Sequence, residues 1–366
     1  MPILTGPQVR VADRKFLMDP YLDWVEGLGL PIHEDFFLNL LDLEVAPWDR
    51  SGTRAAVIHV GGRGDFSNTF LHAIDPGGHS ERQQHLFEAV VYVLAGHGRA
   101  SFEVGGETIS FEWGPRSMFA IPPNVRYRFF NMSGTEEVRY ALATDAPLLF
   151  KLFRDEDFIF DNHADFSYRL SADARVTGDG TLIPNLPGRH MWETNFVPDL
   201  GSFELKEWKE RGAGGTNISF VLADGSLHSH VSQIPAGTYK KAHRHDSGVQ
   251  IFPVTGKGYS LVWYEGDTTK RQVHWEHGYL YAPDDDMFHQ HFNLSTEPSR
   301  YMATMFGSMR YPMTDRKTRI ILGVDVDVRD GGTQIEYGDQ DPDVDKLYQS
   351  ECLAAGAPYL MEKFLA

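Results

Sequence analysis

His243 and His245 lie two positions apart. On a β-strand such residues project from one face, so the pair would aim two imidazoles at a single point. A neutral imidazole is a good ligand for Fe, Mn, Ni, Cu or Zn, and two of them form the start of a metal site. His-x-His pairs alone are common as surface accidents. Here a third histidine, His289, follows a turn at Gly256 and Gly258 that could bring it back opposite the pair. His291 shares the face of His289 by the same parity, and His228 and His230 share a face one strand upstream. His291 and His230 are therefore candidates for acid–base work, and His228 for substrate contact or ligand support. Tyr259, Trp263 and Tyr281 could line the cavity and stack on a ring, against the plainer reading that they fill a barrel core. Arg244, between the two ligands, should point away from them. Lys240 and Lys241 read as a solvated pair, with anion attraction near the mouth as the sharper option.

The elements that must position these groups are repeated in the chain. Asp75 to His85 leads into Val90 to Gly98, as Pro235 to His245 leads into Val249 to Gly258. Gly77 and Gly237, His85 and His245, and Gly96 and Gly256 are each 160 positions apart. A second block, Pro123 to Asn131, recurs as Pro283 to Asn293. Two blocks in one order at nearly one offset indicate duplication of a domain. Short apolar runs punctuated by Gly, Pro and Asn mark strands and turns from about Ala55. The expected fold is thus dominated by β-structure, with two tandem barrels at 51–150 and 215–310. A partly helical segment precedes them at 1–50, where Tyr21, Leu22, Trp24, Val25 and Leu28 recur at helical spacing. A polar connector spans 151–214. An acidic tail covers 311–366, with Asp325, Asp327, Asp330, Asp339, Asp341, Asp343 and Asp345 read as a solvated loop lacking any Ca²⁺-loop spacing.

With 366 residues the chain can build two cores, and its net charge of −17 argues against nucleic acid or an anionic membrane as partner. Its single cysteine, Cys352, permits no intrachain disulfide, which suits a reducing compartment. Met1 to Asp19 has no apolar core of a leader, and no stretch has the length of a membrane span. The expectation is a soluble, cytoplasmic protein that acts on a small molecule.

The two blocks resemble the motifs of the cupin superfamily. Gly237, His243, His245 and Gly256 match its first motif, and Pro283, His289 and Asn293 its second. The resemblance covers roughly residues 50–150 and 215–310 and implies two jelly-roll barrels, a bicupin. Where the family usually has a metal-binding Glu, this chain has Val249. The second barrel thus looks like a three-His site with a dry wall at Val249 and Ile251. That is similar to gentisate-type ring-cleaving dioxygenases, and it implies Fe(II), O₂ and a chelating aromatic hydroxy-acid. The alternatives are a Zn, Mn or Ni centre acting as a Lewis acid in a lyase or isomerase, and a non-catalytic small-molecule-binding bicupin. The family also implies a homo-oligomer, a dimer or higher. In the first half the corresponding positions read Gln83, His85, Ala89 and Tyr127, so one ligand of four survives, with His79 and Glu81 nearby. That barrel is expected to be packed and free of metal.

Overall fold

A computed structural model of the chain describes residues 18–60, 66–170, 176–186, 189–245, 248–308, 310–311 and 326–365. Most of the polar N-terminal stretch, and Asp325 of the acidic tail, lie outside the described residues. The chain forms two compact units. The first comprises Met1–Thr181, Glu193–Leu200 and Val221–Leu227, and the second Leu182–Trp192, Gly201–Phe220 and His228–Ala366. The 151–214 connector of the sequence reading is therefore shared between the units instead of standing between them.

The first unit has eight principal strands: β1 (Thr53–Ile58), β2 (Asn68–Ile74), β3 (Ala89–Ala95), β4 (Gly98–Val104), β5 (Glu107–Trp113), β6 (Met118–Ile121), β7 (Arg126–Asn131) and β8 (Val138–Thr144). One sheet runs β1-β2-β8-β3-β6, the other β7-β4-β5, all pairs antiparallel. β2 is buried along its whole length and β3 at all but its last residue, which explains the unbroken apolar run of β3. Two helices, α1 (Pro20–Gly27) and α2 (Ala146–Phe153), pack together with Trp24 stacked on Phe150 at 4.4 Å. Asp19 caps α1 by accepting from the Tyr21 and Leu22 amides, so the helical spacing there did mark a helix.

The second unit repeats the plan with β9 (Thr216–Leu222), β10 (Leu227–Ile234), β11 (Ala242–His243), β12 (Gln250–Thr255), β13 (Lys257–Trp263), β14 (Arg271–Glu276), β15 (Tyr279–Tyr281), β16 (Phe288–Asn293), β17 (Ser299–Phe306) and β18 (Gln334–Ile335). Its sheets contain the paths β9-β10-β17-β12-β15 and β14-β13-β16-β11-β18. The repeat extends to side chains. Asn131 donates from Nδ2 to the Ile74 and Glu136 carbonyls and accepts from Ser133 N–H. Asn293 does the same with Ile234, Glu297 and Ser295, so the asparagine ending each second block stitches a turn. Gly98 and Gly258 also match in role. A Cβ on either would fall within 2.3 or 2.7 Å of the Trp113 or Trp275 ring, so each tryptophan requires a bare backbone above it.

The acidic tail is not a solvated loop throughout. Pro342–Ala355 forms α3, capped at its start by Asp341. Val344, Tyr348 and Cys352, four apart, put one apolar stripe among the acidic residues and bury it against Tyr239, Tyr259 and Phe292. The Tyr348 hydroxyl reaches the carbonyls of Asn293 and Thr238 at 2.7 and 3.1 Å.

Candidate metal centre

Strand pairing assembles the histidines. β11 lies antiparallel to β16 with His243 directly opposite His289. His245 follows two residues on, and ligand nitrogens of all three rings lie within 4.8 Å of one another. Ring centroids are 4.1 Å apart for His243 and His289, 4.9 Å for His245 and His289, and 5.5 Å for His243 and His245. No other cluster of His, Cys, Asp or Glu with this geometry occurs among the described residues.

The chemistry of the set suits a divalent cation. His289 Nδ1 lies 3.2 Å from the Met287 carbonyl. A carbonyl only accepts, so Nδ1 carries the hydrogen and Nε2 keeps its lone pair for a ligand. His243 Nδ1 is buried without a hydrogen-bond partner, a costly condition that coordination would relieve. Burial, reinforced by the positive charge of Arg211 and by neighbouring histidines, holds His243 well below the usual imidazole range. Burial does the same for His289, with His245 and His291 next in effect. Both rings are thus neutral and able to ligate. Val249, buried at the position of the family's carboxylate, adds no charge.

Pairing of β13 with β16 sorts the remaining candidates by face. Ser260 is opposite His291 and Val262 opposite His289, so these point inward. Tyr259 is opposite Phe292 and Trp263 opposite Phe288, so these point outward. The expectation that Tyr259 and Trp263 line the cavity is therefore corrected. Tyr259 stacks on Phe292 at 4.4 Å beneath α3, and Trp263 stacks on Phe288 and packs on the same apolar cluster. Strand alternation puts them on the wrong side of the sheet.

Tyr281 does face inward. Its hydroxyl lies 2.8 Å from Ser260 Oγ and 3.1 Å from His291 Nδ1, while Ser260 Oγ lies 2.7 Å from the same nitrogen. Trp275 Nε1 donates to Ser260 Oγ at 3.0 Å. His291 is buried, with its ring centroid 5.4 Å from that of His289. Burial, with Lys240 and Arg211 next in effect, drives its basicity down. Ile251 is opposite Tyr281 and Ala303 and forms part of the apolar wall. His228 and His230 stand 5.6 Å apart by centroids, and His230 is 6.5 Å from Tyr301, which in turn is 4.6 Å from His291. Arg244 points away, its guanidinium over Phe288 and bonded to Glu265.

Three residues were missed by the sequence reading. Ser260 looks like one small residue in an apolar strand, and only the register pairs it with His291. Tyr301 gives no motif signal. Arg211, on the short helical turn Lys209–Arg211, is buried and bonds Gln334 Oε1 through Nη1 at 3.3 Å. Lys240 was misread. It is 2% exposed, not solvated, whereas Lys241 pairs with Glu336.

The corresponding residues of the first unit are otherwise engaged, and its described residues show no such cluster. His85 Nδ1 is 2.8 Å from the Phe87 carbonyl and Nε2 is 3.0 Å from the Tyr127 hydroxyl, so both nitrogens are engaged. Gln83 Nε2 donates to the Arg50 carbonyl, and Glu81 is an exposed partner of Arg128. Phe102, Phe119, Phe129 and Tyr127 pack against one another within the unit, in edge-on and tilted pairs.

No family model matches the chain, and no curated protein sequence matches it. Solved structures do. The oxalate decarboxylase of Lactobacillus farciminis, as a formate complex, is 12% identical over 76% of this chain and 87% of its own, with a TM-score of 0.50. A mutant of Bacillus subtilis oxalate decarboxylase is 13% identical over 79% of this chain and 81% of its own, also with a TM-score of 0.50. At such identity the likeness shows the fold alone, two tandem jelly rolls. It does not reach the gentisate-type branch of the sequence reading. Among the described residues, no helix is long and apolar enough to cross a membrane.

Proposed function

We propose that the second unit is a metal-dependent enzyme centre in which His243, His245 and His289 hold a divalent cation. In this reading it acts as a lyase or isomerase on a small carboxylic acid that chelates through adjacent oxygens. The observation that carries the proposal is the convergence of three imidazoles, two of them buried and one half-buried, with a ring nitrogen of His243 orphaned. Mn, Zn and Ni fit such a nitrogen set as well as Fe(II) does. When bound, the cation supplies Lewis acidity, stabilising negative charge that develops on a chelating oxygen. The chain's own residues do the rest. Val249 and Ile251 keep water from one wall. Ser260 and Tyr281 fix His291 through Nδ1, leaving Nε2 to hold or move a proton near the chelated carbon. His230, on the opposing sheet, is the second candidate for that work. The fold shared with oxalate decarboxylases supports chemistry on a small acid.

A second reading, an Fe(II) dioxygenase of aromatic hydroxy-acids, is favoured by a ligand set without a carboxylate, which would leave the cation its full charge for an anionic chelator and O₂. Metal analysis of the purified protein, followed by product and O₂ measurements with oxalate, keto acids, salicylate and gentisate, separates the two. The lyase reading expects product from an aliphatic acid without net O₂ consumption. Stoichiometric O₂ uptake with gentisate or salicylate would overturn it in favour of the dioxygenase. Recovery of every ligand unchanged would leave a binding protein.

A further inference from the structure

We infer that the tail segment 326–340 is a clasp that holds the ligand-bearing residues 242–245 in place, so that groups touching no cation set how tightly one is held. This deepens the reading above and rests on it for the metal, but the clasp itself can be read in metal-free protein.

The strand that carries His243 has little to hold it within its own barrel. β11 is two residues long and meets β16 at a single pair, His243 with His289. Upstream, Tyr239 pairs with Phe292, so the register against β16 slips by one residue before His243 is reached. So short a pairing beside an irregularity opens easily. The other edge of β11 is covered by the tail. Ala242 lies opposite Ile335 and His243 opposite Gln334 in the antiparallel pairing of β11 with β18. The Arg244 N–H, between the two histidines of the first motif, donates to the Thr333 carbonyl at 3.0 Å. The bonds continue upstream. Glu336 pairs with the Lys241 ammonium. The Tyr337 hydroxyl donates to the Tyr239 carbonyl, and Gln340 Nε2 to the Tyr239 hydroxyl, each at 2.6 Å. His243 is thus gripped between His289 on one side and the tail on the other.

The clasp is held shut by its own polar bonds. Gln334 is fully buried, and its Oε1 accepts from Arg211 Nη1 at 3.3 Å. Its Nε2 donates to the Glu210 carbonyl at 3.1 Å and to Glu336 Oε1 at 2.9 Å. Its N–H donates to the Val326 carbonyl at 3.0 Å. The Asp327 carboxylate accepts from the Arg329 and Glu336 N–H groups at 2.7 and 3.4 Å. A Cβ on Gly332 would fall 2.0 Å from the Val326 carbonyl oxygen, so the loop closes only over a bare backbone there. None of residues 326–336 belongs to the apolar cluster beneath α3. Water can replace polar bonds of this kind, so the clasp can open without exposing core and at less cost than unfolding the barrel. Opening releases the outer edge of the His243 strand. Such coupling is reciprocal: a tail that tightens the ligand set must itself be tightened when the set is filled.

The test measures both directions of that coupling in the full-length protein, with cobalt(II) as the probe. In wild type stripped of metal by EDTA, adding cobalt(II) should slow deuterium exchange of residues 326–336 at least tenfold. G332A should bind cobalt(II) at least tenfold more weakly, followed by visible absorption, with the melting temperature of the stripped protein little changed. In stripped protein, residues 242–245 should exchange at least tenfold faster in G332A than in wild type, while β13 keeps the wild-type rate. Equal cobalt(II) affinity in wild type and G332A would overturn the clasp and leave the metal reading standing. So would exchange of 326–336 that is indifferent to bound cobalt(II). Wild type that binds no divalent cation would instead overturn the metal reading, and the clasp would stand or fall on the exchange of 242–245 in stripped G332A. If G332A does not fold, the exchange of wild type with and without cobalt(II) decides alone.

Discussion

His243 and His289 face each other across the β11–β16 pair with their ring centroids 4.1 Å apart, although they come from different motifs. A directly opposed antiparallel pair brings Cβ atoms to ~4.5–5.5 Å, so two imidazoles there can share one cation without distortion of either strand. Either ring alone should be dispensable for folding and indispensable for metal. We expect H243A and H289A to retain the melting behaviour of the stripped wild type and to hold less than about a tenth of its metal, the loss of one of three ligands being severe at such sites. Metal analysis after desalting checks this. Full stoichiometry in H289A would remove His289 from the ligand set.

Ser260 holds His291 and Tyr281 together and also accepts from Trp275. S260A would leave the buried Trp275 N–H without an acceptor, at a cost of about 1–3 kcal/mol. It would also leave His291 held at Nδ1 by the Tyr281 hydroxyl alone. We expect a lower melting temperature, and a kcat reduced roughly tenfold or more with KM little changed, because the residue positions a proton-handling group and does not bind substrate. A variant with wild-type kcat would detach Ser260 and His291 from the chemistry.

The metal triad was legible in the sequence because its signal is local: parity makes His243 and His245 share a face, and the repeat supplies His289. What failed was anything that needed the register between strands. Tyr259 and Ser260 are neighbours, and only the pairing of Ser260 with His291 shows which of the two looks inward. Lys240 was misread for a related reason, since exposure is the default for lysine and only the pairing of Tyr239 with Phe292, which sets Lys240 beside His291 before the register shifts by one residue ahead of His243, reveals its burial. The helix α3 was hidden by composition. Its acidic residues read as solvated, and the stripe Val344, Tyr348, Cys352 was too sparse to announce a docked face.

That stripe predicts its own test. Y348F removes a hydroxyl that reaches the carbonyls of Thr238 and Asn293, and should cost about 1 kcal/mol. Y348A also empties a fully buried site, which should raise the loss to about 3–5 kcal/mol and release α3 from the sheet. Limited proteolysis checks the second expectation. Cleavage after Lys346 should be fast in Y348A and slow in wild type, and equal rates would mean that α3 is held by other contacts.

The first unit should be sensitive to acid because of two histidines that never see water. His72 stacks on Tyr140 with centroids 5.0 Å apart and binds Thr53 through Nδ1, and burial, helped by the nearby His85, holds its pKa down to about 3. Burial likewise holds His85 down to about 4, against the opposing pull of backbone hydrogen bonds at Phe87 and its own amide. In the unfolded chain both titrate near about 6.5. Between that value and the folded pKa the unfolded state binds more protons, so stability is complete above about pH 6.5 and falls as pH drops toward 4. Each group contributes a slope of up to about 1.4 kcal/mol per pH unit in that window. Trp48, stacked on His72 at 5.8 Å, provides a fluorescence report on this unit. Melting followed at Trp48 should shift down steeply from pH 6.5 to 4.5 in wild type. In H72Q, which cannot take up the proton, the shift should be shallower. An identical pH dependence in both proteins would assign the acid sensitivity to other groups.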